Sequence, residues 1–408
     1  MNLTRVCSAL VPLVVTVACS DPNGPGTSKA IDALPRQLSV SEQKLVAGNN
    51  AFAFSLMREI NKSQRTDNVF VSPLSASMAL GMTANGASGA TWEAMRNTLG
   101  LGTASREEIA AGYKSLIALL RGLDASTDFK IANSIWYRPE LSVTPSFLAE
   151  SQSFFDAKVQ ALNFDDPASI PTINSWVSDA TSKKIPSIID DFNGDEVMFL
   201  INAIYFKSSW QNRFDKKDTQ DAPFFAIDGS SSQVPLMSQS STMRLGLSTN
   251  YTAVDLLYGN SAFAMTVILP DQGTNVNTLA ESLTESGWKT LEASFSERKA
   301  QLYLPRFKLE WKRNLNDDLK ALGMGVAFSD LDADFSRIST HERLLISDVI
   351  QKTFVDVNEE GTEAAAVTSV GVTVTSGPPT IRVDRPFIFV IRERFSGTIL
   401  FMGKIARL

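Results

Sequence analysis

The 408-residue chain has very little cysteine and histidine: two of one and one of the other. Both cysteines, Cys7 and Cys19, lie in the first 20 residues, so the rest of the chain has no disulfide and no thiol nucleophile. The one histidine, His341, sits in Ser339-Thr340-His341-Glu342. A histidine-dependent triad needs it as the base, but its polar and charged neighbours suit a surface loop better. No second histidine follows at zinc-protease spacing, and no other His/Cys cluster can hold a metal. There is no Gly-x-Ser-x-Gly elbow and no phosphate-binding glycine loop. Ser-x-x-Lys occurs at Ser41/Lys44, Ser286/Lys289 and Ser296/Lys299, but without the Ser-Asp-Asn and Lys-Thr-Gly companions that give it meaning. Asp330, Asp332 and Asp334 lack the glycine and distal glutamate of a calcium loop. Together these absences predict a protein that is not an enzyme and needs no metal or cofactor.

Clustered charge is also missing. The 38 basic and 44 acidic residues give a net charge of −6 and are scattered, so no nucleic-acid face is expected. No Pro/Gly/Ser linker divides the middle of the chain. The longest early apolar run, Ala9 to Ala18, is too short and wrongly flanked for a membrane span, and it reads as a signal peptide over residues 1–18. Thr16-Val17-Ala18-Cys19 resembles a bacterial lipobox, in which cleavage leaves Cys19 as a lipid-bearing N-terminus, although Thr16 stands where leucine is usual. Residues 19–37, with a polar Pro/Gly-rich start, read as a flexible tether. The expected location is therefore outside the cell or on its surface, with membrane contact only through that lipid.

What is present, over residues 38–408, is helix first, then mixed structure, then strand. Ser39-x-x-Glu42 forms a capping box opening a helix through Ile60. Further helices are expected from Leu74 to about Gly86, Thr91–Leu99, Ser105–Leu120, Thr144–Phe155, Ile170–Ser182 and around Asn275–Leu291. Strands are expected at Lys130–Tyr137, Val197–Lys207, Ala262–Leu269 and Gln301–Leu309, with a terminal hairpin at Arg385–Arg392 and Ser396–Lys404. The pattern predicts an α+β fold with large, mainly antiparallel sheets.

The segment Glu359 to Pro379 is the most unusual. It opens on Glu359-Glu360-Gly361, carries no charge after Glu363, and reaches no proline until Pro378-Pro379. Alternate residues from Thr362 (Ala364, Ala366, Thr368, Val370, Val372) are small or β-branched, which suits a strand buried between two others. A low-complexity linker before the last strands has the same composition.

Several segments, in order, resemble the serpin family over residues 38–408. They are Asn68-Val-Phe-Val-Ser-Pro-Leu-Ser75, Asn174-Ser-Trp-Val-Ser-Asp-Ala-Thr181, Asn202-Ala-Ile-Tyr-Phe-Lys-Ser-Ser-Trp210, Leu304-Pro-Arg-Phe307, Asp384-Arg-Pro-Phe387 and Leu400-Phe-Met-Gly-Lys404. The resemblance implies the serpin fold, with about eight or nine helices and an exposed reactive-centre loop. It also implies a monomeric suicide inhibitor of serine proteases, of the inhibitory type found in bacteria. Glu359, Glu360, Gly361, Thr362, Glu363, Ala364, Ala365 and Ala366 then form the loop hinge, Thr375–Ser376 is the reactive bond, and Trp210 lies at the top of the main sheet. Ser72, Ser75 and Asn202 match the shutter that governs sheet opening. Gln351 stands where the family usually has histidine, so altered opening energetics are expected. Thr375 is a small β-branched residue, so a protease with a small-residue pocket, elastase-like or subtilisin-like, is the expected partner. The alternative is a non-inhibitory serpin that binds a ligand or partner.

Overall fold

The computed structural model describes residues 29–192, 194, 196–362 and 378–408. Nine α-helices occur among them, most in the first half of the chain. The Ser39 capping box forms as expected: the Glu42 amide donates to Ser39 Oγ at 3.2 Å and the Ser39 amide donates to Glu42 Oε2 at 2.7 Å. It opens the helix Val40–Ser63, which turns Leu45, Phe52, Leu56 and Ile60 into the core. A second capping box, Ser105 with Glu108, opens Arg106–Gly122. Ser72 caps Pro73–Asn85, whose first residue is a proline that needs no amide partner there. No described helix is long and apolar enough to cross a membrane.

A nine-stranded sheet holds the main core. Phe263–Pro270, Phe387–Glu393 and Ile399–Ile405 are neighbours in it, antiparallel, and buried at every residue. The strand Val69–Val71 joins its edge and stacks Phe70 on Phe389 and Phe401, at 5.5 and 5.2 Å between ring centroids. Gly403 makes this packing possible, since a Cβ there would sit 2.2 Å from the Phe389 ring.

The second sheet has six strands, in the order Phe307–Asn314, Ile350–Asn358, Gly361–Thr362, Met198–Ser209, Asp128–Tyr137 and Ala157–Ala161. The helix Ser169–Ala180 lies across it, with Ile173 and Val177 packed in one cluster with Trp136, Phe199 and Ile201. The α+β class and the two large sheets are as expected from sequence. Two of the pairings among the described residues are parallel.

Two elements differ from the sequence reading. The single helix expected around 275–291 is two, Val276–Ser282 and Glu285–Ser294, because Thr284 leaves the helix and caps the second from its side chain at 3.1 Å. The single strand expected at 301–309 is also two, Ser296–Pro305 and Phe307–Asn314, and they belong to different sheets. Arg306 is the turning point between them. Ile31 and Leu34, within the expected tether, lie against the folded body: both pack on the core, and the Ile31 amide donates to the Asn260 carbonyl at 2.8 Å.

Candidate functional site

Among the described residues the six-stranded sheet is interrupted. Met198–Ser209 pairs on one edge with Asp128–Tyr137, from Met198 to Lys207. Ile350–Asn358 pairs on its far edge with Phe307–Asn314, from Ile350 to Val357. Among the described residues, only the pair Gly361–Thr362 lies between these two strands, bonded to Val357 and Asn358 on one side and to Ser208 and Ser209 on the other. Among the described residues no other strand pairs with either facing edge. Below Thr362 the two strands wall a cavity of about 610 Å³ that reaches Ile201, Asn202, Ile350 and Gln351.

The upper end is tightly held. Gly361 has φ +149°, and a Cβ would lie 2.2 Å from the Ser208 carbonyl oxygen, so only glycine fits. Thr362 turns inward, and its hydroxyl meets the Tyr258 hydroxyl at 2.7 Å. Trp210 stacks on Tyr258 at 4.4 Å, donates its indole N–H to the Asn358 carbonyl at 2.8 Å and its amide to the Glu360 carbonyl at 2.9 Å. The Phe214 amide holds the Glu359 carbonyl at 2.9 Å.

Glu359 and Glu360 each have a cation of their own. Glu360 meets Lys216 Nζ at 2.6 Å. Glu359, only 1% exposed, accepts from Arg306 and from Thr219 Oγ1 at 2.8 Å. Burial pushes the Glu359 carboxyl up, but the Arg306 and Thr219 hydrogen bonds outweigh it and leave the group below the usual carboxylate range.

Lower down, the first turn of the helix Pro73–Asn85 touches both strands. The Ser72 amide donates to Gln351 Oε1 at 2.9 Å, and Gln351 Nε2 donates back to the Ser72 carbonyl at 2.8 Å. On the other strand, Ser75 donates to Asn202 Oδ1, and Asn202 Nδ2 donates to Asn133 Oδ1 at 2.6 Å. Ser72, Ser75, Asn202 and Gln351 are thus brought together, and Trp210 lies at the end of the sheet where Gly361–Thr362 enters.

Of the hinge residues, Glu359, Glu360, Gly361 and Thr362 are in this site; Glu363, Ala364, Ala365 and Ala366 lie outside the described residues. So do Thr375, Ser376 and Cys19. The cationic partners Arg306 and Lys216, the inner partner Tyr258 and the network member Asn133 were missed from sequence. Arg306 alone had a local signal, a charge directly after a proline that ends an apolar strand.

The family model for serine protease inhibitors, the serpins, matches residues 47–408. The chain belongs to the serpin family. Among similar serpins, Iripin-8 of Ixodes ricinus is 35% identical over 387 residues, covering 90% of this chain and 95% of its own. Leukocyte elastase inhibitor A of Mus musculus is 33% identical over 379 residues, covering 89% and 99%. The crystal structure of human thyroxine-binding globulin complexed with thyroxine aligns at a TM-score of 0.83 and 29% identity, over 90% of this chain and 99% of that one. The serpin fold expected from sequence is therefore shown, and the interrupted sheet is its six-stranded one.

Proposed function

We propose that this serpin inhibits serine proteases as a suicide substrate. The observation that carries the reading is the place between Met198–Ser209 and Ile350–Asn358, filled at one end by Gly361–Thr362. Its length suits a strand. Met198 to Lys207 spans about 33 Å, while Glu363 to Thr375 can extend to about 43 Å.

A protease serine attacks the Thr375 carbonyl, the bond to Ser376 breaks, and the new amine leaves while Thr375 stays esterified to the enzyme. The freed segment then continues the strand that Gly361–Thr362 has begun and carries the protease along the sheet. Strand alternation from the inward-facing Thr362 puts Ala364 and Ala366 on the buried face and Glu363 on the other. No charge is thus buried, a step that otherwise costs several kcal/mol.

Thr375 suits an elastase-like or subtilisin-like pocket, a reading helped by the relative that inhibits leukocyte elastase. Export and lipid attachment at Cys19 belong to the same proposal, on the strength of the apolar run and the Thr-Val-Ala-Cys sequence. Likeness to thyroxine-binding globulin supports the alternative, a serpin used for ligand binding. Mixing the protein with an elastase and running denaturing gels separates the two. A covalent complex is expected; clean cleavage without one overturns the inhibitor.

A further inference from the structure

The cavity below Thr362, about 610 Å³, has the size of a drug-sized ligand site. Its wall is apolar: Leu80, Leu315, Phe335 and Ile338 are each no more than 4% exposed, and the half-buried Leu344 and Ile346 close the side. The charges around it are unequal. Among the described residues, three carboxylates line it, Glu196, Glu342 and Asp348, against one guanidinium, that of Arg343. Asp348 and Glu342 accept from neutral donors, Asn314 Nδ2 at 2.5 Å and the Ser339 hydroxyl, rather than from a cation. Glu196 is 5% exposed, so its field acts through a medium that screens poorly.

We infer that this cavity binds an amphipathic cation, an aromatic or alkyl body carrying one ammonium or guanidinium group. An acid of the same shape, such as a fatty acid, meets like charge and binds less well. The cavity shares Ile201, Asn202, Ile350 and Gln351 with the path of a new strand. A bound ligand and an inserted strand exclude each other, so the ligand selects the uninserted form and slows insertion by linkage. That second consequence rests on the inhibitor reading; the binding does not.

The test is a fluorescence titration of the intact protein with dansylcadaverine, and with dansyl-6-aminohexanoic acid as the matched anion. Saturable, blue-shifted emission is expected, with the amine binding about 10-fold tighter than the acid or better. Leu344→Trp, which fills the cavity from its wall, weakens the amine about 10-fold. The isosteric Glu196→Gln narrows the amine preference to about 3-fold or less. Absence of saturable binding, equal affinity for amine and acid, or binding untouched by Leu344→Trp overturns the site. A protein that binds the amine but forms no complex with elastase removes the inhibitor and leaves the cation site standing. Slower complex formation in saturating amine supports both.

Discussion

In the nine-stranded sheet, Phe263–Pro270, Phe387–Glu393 and Ile399–Ile405 are buried at every residue and bonded to a neighbour on both edges. In the six-stranded sheet, Ile350–Asn358 alternates buried and half-buried residues, and two residues at one end are all that pair with its inner edge among the described ones. Among the described residues, one sheet has spent its hydrogen bonds and apolar area, while the other holds part of both in reserve. A sheet with unpaired inner edges is less stable than one with another strand added, and that difference is a store of free energy on which a suicide inhibitor can draw.

The difference between the sheets can be broken from either side. Phe389→Ala opens a cavity in the finished sheet, at the stack with Phe70, and costs about 4 kcal/mol of native stability. Denaturant unfolding reads that loss, while the fraction of surviving molecules that trap elastase stays unchanged. Thr362→Arg acts on the other sheet. A cation cannot take the place Thr362 holds against Tyr258, so the strand is no longer started there and covalent complex falls about 100-fold with cleavage of the loop intact. Trapping that survives this change breaks the link between the unfinished sheet and inhibition.

Gln351→Leu removes both bonds to the Ser72 main chain; the carbonyl keeps the Ala76 amide at 3.1 Å, but the buried Ser72 amide is left unmet, at about 2 kcal/mol. Its mark is faster conversion to the inserted or polymeric form on mild heating, read by native gels.

The smallest expected effect lies outside both sheets. The Arg36 hydrogen bond holds the Glu42 carboxyl down to about 2 against its burial, helped by the Ser39 amide. A depressed carboxyl contributes stability above its unfolded value of 4.5 and loses it as pH falls toward 2. Arg36 is 43% exposed, so the contribution is about 1 kcal/mol after screening. Wild type and Glu42→Gln should differ in melting temperature above pH 5 and converge near pH 2.

Local chemistry made much of this legible. Ser39 and Ser105 announced their helices because a capping box is complete within four residues. The terminal hairpin was clear from two apolar runs around a turn. The Pro305–Arg306 break was not, because a strand that changes sheets looks continuous until its partners are known. The hinge was read as a strand or a linker, and Gly361–Thr362 is strand while the residues that follow lie outside the described ones. The lysine and arginine holding Glu360 and Glu359 are 144 and 53 residues distant, and no periodicity reaches that far. Asn133 was hidden for the same reason: its bond to Asn202 spans 69 residues.

The two-way bond between Gln351 and Ser72 has one more consequence. Ser72, Ser75, Asn133, Asn202 and Gln351 include no group that gains or loses a proton between acid and alkaline surroundings. The lock that joins the sheet to its helix is therefore blind to acidity and holds alike in a neutral fluid or a sour one. The carboxylate of this sheet with a shifted proton affinity is Glu359, at the other end, held by Arg306 and Thr219.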